Sequence, residues 1–199
     1  MAPTAAQPQR PAPASSRLFR LIAIVILALI VIVGLAVLIT WLVLKPKQLA
    51  YSIENRSIHN FNIQNDHLNA TFDFLLRAKN PNHKISVYYD LLEVSVAVDG
   101  QTLAFNTLEP FHQPRRNVTH LEAHLEARDV ALSRSMSKNL RVSKASGDVD
   151  LDVRVRARIR LKVGIWKLKH RTLKVLCSPV LVHFSSWKTY DTTDCDIDY

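Results

Sequence analysis

Asp148 to Val163, DVDLDVRVRARIRLKV, is the stretch whose reading decides the fold. Every even position in it is charged: Asp148, Asp150, Asp152, Arg154, Arg156, Arg158, Arg160 and Lys162. Every odd position from Val149 to Val163 is apolar. A period of two puts all the charge on one side of an extended chain and all the apolar groups on the other, which is a long antiparallel strand with one buried and one wet face. At about 3.3 Å per residue it would run roughly 50 Å, so a bend or bulge is expected along it.

The neighbouring sequence repeats the pattern. A turn near Gly164 leads into a partner strand from Trp166 towards Cys177, and Val180 to Phe184 reads as a last strand. Upstream, Leu49, Tyr51 and Ile53 alternate with polar residues, and Leu68, Ala70, Phe72, Phe74, Leu76 and Ala78 do so over a longer run. Asn80-Pro81-Asn82 ends that run, because proline cannot donate to a ladder and restricts the residue before it. Ile85 to Tyr89 and then Val94, Val96 and Val98 precede Asp99-Gly100, a strong hairpin signal, with Leu103 and Phe105 beyond it. Pro110 and Pro114 bracket a loop. From Thr119 to Ala127, Leu121, Ala123, Leu125 and Ala127 point inward, and His120, Glu122, His124 and Glu126 point outward. The spacing of Leu132, Met136 and Leu140 predicts one helix over 129–140, with Asp129 as its cap. Seven or eight half-buried strands and one helix make an all-β, antiparallel two-sheet sandwich over residues 45–199.

A different pattern precedes the sandwich. Leu21 to Leu44, LIAIVILALIVIVGLAVLITWLVL, carries no charge. As a helix it would reach roughly 36 Å, enough to cross a hydrocarbon core of about 30 Å. It is too long for the apolar region of a cleaved signal peptide and lacks the polar stripe of a core helix. Trp41 falls where an interfacial anchor is expected. Residues 1–20 contain the Pro-rich MAPTAAQPQRPAPASS, which cannot bury enough apolar surface to order itself and is expected to be a flexible tail.

Charge is unevenly distributed. The chain holds 26 Lys plus Arg against 17 Asp plus Glu, and only Arg10, Arg17 and Arg20 precede Leu44, without any acid. The part after the span is therefore mildly basic. Flanking charge does not decide its side of the membrane, since Lys45, Lys47 and Arg56 answer the three arginines. Two features favour the secretory lumen. Asn55, Asn69 and Asn117 each begin an N-x-S/T sequon, all three beyond the span. Cys177 and Cys195 are the two cysteines of the chain, and in an oxidising compartment a bridge between them would stabilise by roughly 3 kcal/mol through loop closure. A pair of buried free thiols is the alternative. Together these features read as a type II signal anchor with the N-terminus in the cytosol and the distal domain outside the cell.

Signatures of catalysis are missing. The sequence has no Gly-rich phosphate loop, no G-x-S-x-G, no H-E-x-x-H and no C-x-x-C, and its four glycines leave little backbone freedom for such loops. No cofactor or small-molecule substrate is indicated. His120 and His124 share a face with Glu122 between them, but a zinc site needs a further ligand that nothing identifies, so a solvated polar face is the better reading. The row Arg154, Arg156, Arg158, Arg160 and Lys162 is the candidate face for an anionic partner. Against that, neighbouring strands are expected to supply Asp and Glu for ordinary cross-strand pairs. Nucleic acid is excluded by the compartment.

Three stretches, Asn80 to Ala104, Glu109 to Leu125 and Trp166 to Val182, resemble the plant harpin-induced-like proteins, also called late-embryogenesis-abundant hydroxyproline-rich glycoproteins. The most specific part is Asn80-Pro81-Asn82, followed by Tyr88-Tyr89-Asp90 and the Asp99-Gly100 turn. The resemblance implies a fibronectin-like β-sandwich of about seven strands in a plasma-membrane protein associated with pathogen defence, the hypersensitive response and abiotic stress. It carries over no catalytic residue. The expected partners are the membrane, through one span, and other membrane or cell-wall proteins, a second copy of the chain among them. Some relatives are thought to carry a C-terminal lipid anchor, whereas this chain ends TTDCDIDY, so Leu21 to Leu44 is expected to be the sole anchor.

Overall fold

The alternation from Asp148 to Val163 forms one unbroken strand over that whole range, with Val149 through Ile159 buried at every odd position. The computed structural model describes residues 14–44, 47–184 and 192–198, without the side chains of 14–17 and 40–44. The expected tail over residues 1–13 and the interfacial role of the Trp41 side chain lie outside the described residues. In chain order the elements are α1 (Ala14–Leu44), β1 (Ala50–Gln64), β2 (His67–Lys79), β3 (Ile85–Val98), β4 (Gln101–Leu108), β5 (Phe111–Gln113), β6 (Val118–Ala131), α2 (Arg134–Ser146), β7 (Asp148–Val163), β8 (Trp166–Lys167), β9 (Arg171–His183), β10 (Thr193–Asp194) and β11 (Asp196–Asp198). Seven of the strands are eight residues or longer.

The chain divides into two units, Met1–Lys45 and Pro46–Tyr199. In the first, α1 is long and apolar enough over Leu18–Ile39 to cross a bilayer. It begins at Ala14 rather than Leu21, so Arg17 and Arg20, expected in the tail, lie in its first turns. Ala, Leu and Arg are strong helix formers, and a long apolar helix propagates into them at little cost.

The second unit is the sandwich. One sheet has the order β10-β1-β2-β6, and the other β11-β9-β7-β3-β4, with β5 on β3 and β8 on β7. All pairings are antiparallel. The core between the sheets is built from the alternating positions read in the sequence, among them Phe72, Leu76, Leu92, Leu125, Leu151, Ile159 and Leu173, all essentially inaccessible to solvent.

The bend expected in the long strand is absorbed by its neighbours. Opposite β3 the register shifts between Tyr89 and Leu91, which leaves Asp90 as the extra residue. Opposite β9 it shifts between Leu151 and Val153, where Ser178 and Pro179 are accommodated. Because Pro179 occupies that bulge, β9 continues through it, and Val180–Phe184 is not the separate strand expected.

The helix is also displaced. β6 runs on to Ala131, pairing with Leu68 and His67, and Asp129 adopts φ 53° with its N–H donated to the Asn69 side chain. Asp129 therefore cannot cap a helix. Ser133 does so instead, its hydroxyl accepting from Met136 N–H, and Gly147 ends α2 at φ 93° with its N–H on Ser143 and Lys144 carbonyls. Leu132, Met136 and Leu140 still face inward, as their spacing requires.

Asn80-Pro81-Asn82 joins the two sheets at one end. Asn80 is fully buried: its Nδ2 donates to the carbonyls of Ile85 and Pro114 at 2.9 and 3.0 Å, and its N–H to Asn117 O at 2.9 Å. Its Oδ1 accepts from the N–H and Nδ2 of Asn82. Asn82 in turn holds both backbone groups of Lys47 at 2.8 Å. Asn80→Ala strands one buried and one part-buried carbonyl and the groups of Asn82 that rest on Asn80 Oδ1, so the stability of the distal domain, followed by denaturant titration of the detergent-solubilised chain, is expected to fall by about 3 kcal/mol. Loss of less than about 0.5 kcal/mol, the scale of an ordinary surface substitution, would mean that the turn holds without this side chain.

Candidate functional site

The even positions of β7 project from the outer face of the larger sheet. Between Asp148 and Lys162 they are flanked by the outward residues of β3 and β9, which decide how much of the charge is compensated. Arg160 is paired: its Nε donates to Asp90 Oδ2 at 2.8 Å and its Nη2 to Asp90 Oδ1, a two-pronged contact, and His170 approaches the same carboxylate at 3.3 Å. The bulge that leaves Asp90 unmatched on β3 places it there. Asp90 is accordingly held below the ordinary aspartate range, chiefly by the hydrogen bonds from Arg160 and against the cost of desolvation. Arg154 makes a looser contact with Asp152 at 3.5 Å.

Arg156, Arg158 and Lys162 make no ion pair among the described residues. Arg156 has Glu93 opposite it on β3 and Lys174 opposite it on β9, while Arg158 faces Leu91 and Thr172. Cross-strand compensation is therefore partial: two of the five basic groups are paired and three are not. The same face carries a groove of about 650 Å³ between Glu93, Arg154, Arg156, Lys174, Leu176 and the segment Asp196–Asp198. It is open and mixed in charge, with acidic groups on β11 opposite basic groups on β7 and β9.

That wall was not foreseen from the sequence. The C-terminal residues form a strap whose β10 pairs with β1 (Thr193 with Ile53) and whose β11 pairs with β9 (Ile197 with Val175), so it spans the two sheets. Cys195, between them, is bonded to Cys177. The alternation in Asp194-Cys195-Asp196-Ile197-Asp198 was the available signal, but three residues are too few to read as a strand without a partner to pair with.

The smaller sheet presents the opposite chemistry. His124 Nδ1 lies 2.5 Å from Asp73, its Nε2 3.3 Å from Glu126, and His59 approaches the other oxygen of Asp73 at 3.6 Å. His120 contacts Glu54 at 3.1 Å, beside Arg77 at 3.3 Å. The hydrogen bond to Asp73, and then that to Glu126, raises His124 above the usual imidazole value. Each histidine is thus engaged with a carboxylate, and among the described residues no group of three or more His, Cys, Asp or Glu is disposed to hold a metal ion.

Two of the sequon asparagines lie on this sheet's outer surface. Asn55 and Asn69 are exposed, each with Oδ1 engaged by a backbone N–H, of Arg56 and Asp129 respectively. Asn117 is half-buried immediately before β6, its carbonyl taken by Asn80 and Gln113.

Residues 75–178 match the family model described as late embryogenesis abundant protein. The chain is 37% identical over 168 residues to uncharacterized protein At1g08160 of Arabidopsis thaliana, covering 83% of this chain and 75% of that protein. It is 28% identical over 190 residues to NDR1/HIN1-like protein 10 of the same plant, covering 88% and 81%. Among solved structures, the solution structure of AT1g01470 from Arabidopsis thaliana matches at 12% identity with a TM-score of 0.31, over 71% of this chain and 85% of that one.

The Asp90–Arg160 pair carries a pH signature. A carboxylate lowered in the folded state adds stability that is present above the unfolded value of about 3.9 and is lost as pH falls through the folded value. Arg160→Gln is therefore expected to raise the Asp90 pKa, read by NMR titration of its carboxyl carbon. It should lower stability at neutral pH by a margin that closes below about pH 4. An Asp90 titration unmoved by the substitution would assign the depression to other groups.

Proposed function

Because the chain belongs to the late embryogenesis abundant protein family, we propose that it is a single-pass plasma-membrane protein of plant defence and stress. In this reading it acts by interaction and not by catalysis. The observation that carries the reading is the order of parts: a helix long and apolar enough over Leu18–Ile39 to cross a bilayer, followed within three residues of its end by a sandwich whose inward positions are spent on its own core. The name NDR1/HIN1-like, shared by several of the relatives, supports the defence association implied by the resemblance.

An extracellular position of the sandwich is supported by two features of the domain. Asn55 and Asn69 are exposed on one sheet face, where glycans would leave the basic face of the other sheet open. The Cys177–Cys195 bridge suits an oxidising compartment. The proposed topology is type II, with the N-terminus in the cytosol. Glycosidase treatment of intact membranes should reduce the mass of the chain, and external protease should cleave the sandwich without detergent. An unglycosylated domain protected from outside protease would reverse the topology.

A second reading is favoured by Arg156, Arg158 and Lys162, the three basic groups of the row without an ion pair among the described residues. In it the sandwich is a membrane-to-wall linker that holds acidic polymer through this face, with no signalling partner. Charge reversal at Arg156 and Arg158, which keeps the Arg160 hydrogen bonds to Asp90 in place, separates the readings. The linker predicts loss of wall retention, measured as the fraction of chain released with the plasma membrane on plasmolysis. Unchanged retention removes it.

A further inference from the structure

The end of the sandwich at which the chain enters differs from the other end in charge. Lys47 is three residues past the last residue of α1 and is clamped by Asn82. The same end holds the end of β2, the starts of β3, β6 and β9, and the end of β7: Lys79 pairs with both Ala50 and Val118, Ile85 with Val163, and Arg171 with Ile159. The four segments concerned, residues 47–50, 79–87, 113–119 and 162–172, contain nine lysines and arginines and no Asp or Glu. The other end is mixed: its turns carry Asp66, Asp99, Asp129 and Asp148, beside the basic residues of α2.

From the basic end projects a hairpin. Val163 pairs with Trp166 and Lys162 with Lys167 around a turn at Gly164–Ile165, and Leu168 N–H donates to Leu161 O at 2.8 Å. Gly164 has φ +57°, which lets the turn close tightly. The period-two rule places Leu161, Val163, Trp166 and Leu168 on the side that deeper in the strand is the core side; Leu161 still packs against the core, but the burial ends beyond it. Ile165, Trp166 and Leu168 are 87%, 72% and 46% exposed. On the other side Lys167 lies over the Tyr88 ring, its Nζ 5.4 Å from the centroid. The hairpin is thus apolar on one side and at its tip, and basic on the other.

Reach fits this end to a bilayer surface. Two residues separate Leu44 from Lys47, and the three steps between them make a tether of at most about 11 Å. Two residues separate Leu161 from the hairpin turn, and the three steps to Gly164 give a projection of about 10 Å beyond the level of Leu161, which lines the same cavity as Lys47. We propose that the hairpin Lys162–Arg171 is a second membrane contact. Ile165, Trp166 and Leu168 enter the boundary between phospholipid headgroups and acyl chains, and Lys162, Lys167, Lys169 and Arg171 meet the headgroup phosphates. Tryptophan favours that depth, and lysine stems let the charge remain at the phosphate while the chain descends. This inference rests on the reading of α1 as a membrane anchor.

The test uses the full chain with Trp41→Phe and Trp187→Phe, which leaves Trp166 as the single tryptophan. It is reconstituted in phosphatidylcholine vesicles, with and without about one-third phosphatidylserine, a content at which each basic residue near the surface gains appreciable attraction. The expected result is quenching of Trp166 emission by lipids brominated near the headgroup, by twofold or more relative to unbrominated vesicles. Quenching should be stronger with phosphatidylserine and largely lost in K162E/K167E/K169E/R171E, whose far-ultraviolet circular dichroism checks the fold. Flotation after alkaline carbonate is measured on the same samples. If the chain floats and Trp166 is not quenched in either lipid, the hairpin faces water or a protein partner and the inference fails alone. If carbonate strips the chain from the vesicles, the anchor reading fails and this one with it.

Discussion

A single constraint organises the distal domain: β7 carries a charge at every second position for sixteen residues and is paired by β9 from Asp148 to Ile159 and by β3 from Asp152 to Val163. A strand flanked by β3 and β9 has no free edge, so its backbone polar groups are consumed in ladders and only its two faces remain. Burying the charged face would require desolvating eight ionised groups, a cost no core repays without partners for each. One face must therefore be wet, and the other must find a second apolar sheet. The β1-β2-β6 layer is that sheet, and its own alternation answers the same demand from the opposite side.

This explains which parts of the fold were legible. Period-two runs identify strands and their faces directly, and Asp148–Val163, Leu68–Ala78 and Thr119–Ala127 all sit as their pattern requires. The Asp99-Gly100 turn was equally readable, because both residues take positive φ there. The errors arose where a residue's local preference was outweighed by a partner distant in sequence. Asp129 is a good helix cap in isolation, but Asn69, sixty residues away, takes its N–H and the β2 ladder extends past it. Pro179 would end an isolated strand, but a bulge opposite Leu151–Val153 admits it. The start of α1 was missed for a different reason: a charge-free run marks where lipid is compatible, while helix propagation depends on propensity and carries on into Arg20 and Arg17.

The candidate faces were legible by position but not by state. Sequence placed the arginine row on one surface; it could not say which members would find acids, because that depended on the bulge at Asp90. A regular β3 would have turned Asp90 to a different neighbour and left Arg160 as open as Arg158. His120 and His124 were rightly placed on a shared face. Their commitment to Glu54, Asp73 and Glu126 depends on the register of β1 and β2 against β6, which no single strand reveals.

The Asn82 clamp has a mechanical meaning. A pull transmitted along the chain from α1 would enter the sandwich at Lys47, and there the first resistance is a pair of hydrogen bonds to one buried side chain. Behind them β1 is gripped on both edges within the next few residues, by β2 on one side and on the other by the strap, through Thr193 opposite Ile53 and Cys195 N–H on Tyr51 O. The strap is itself tied covalently to β9 through Cys195 and Cys177. Tension entering at the first strand is thus shared with both sheets before the ladder can unzip, because β1 is held by β2 and by a strap that is itself bonded to β9.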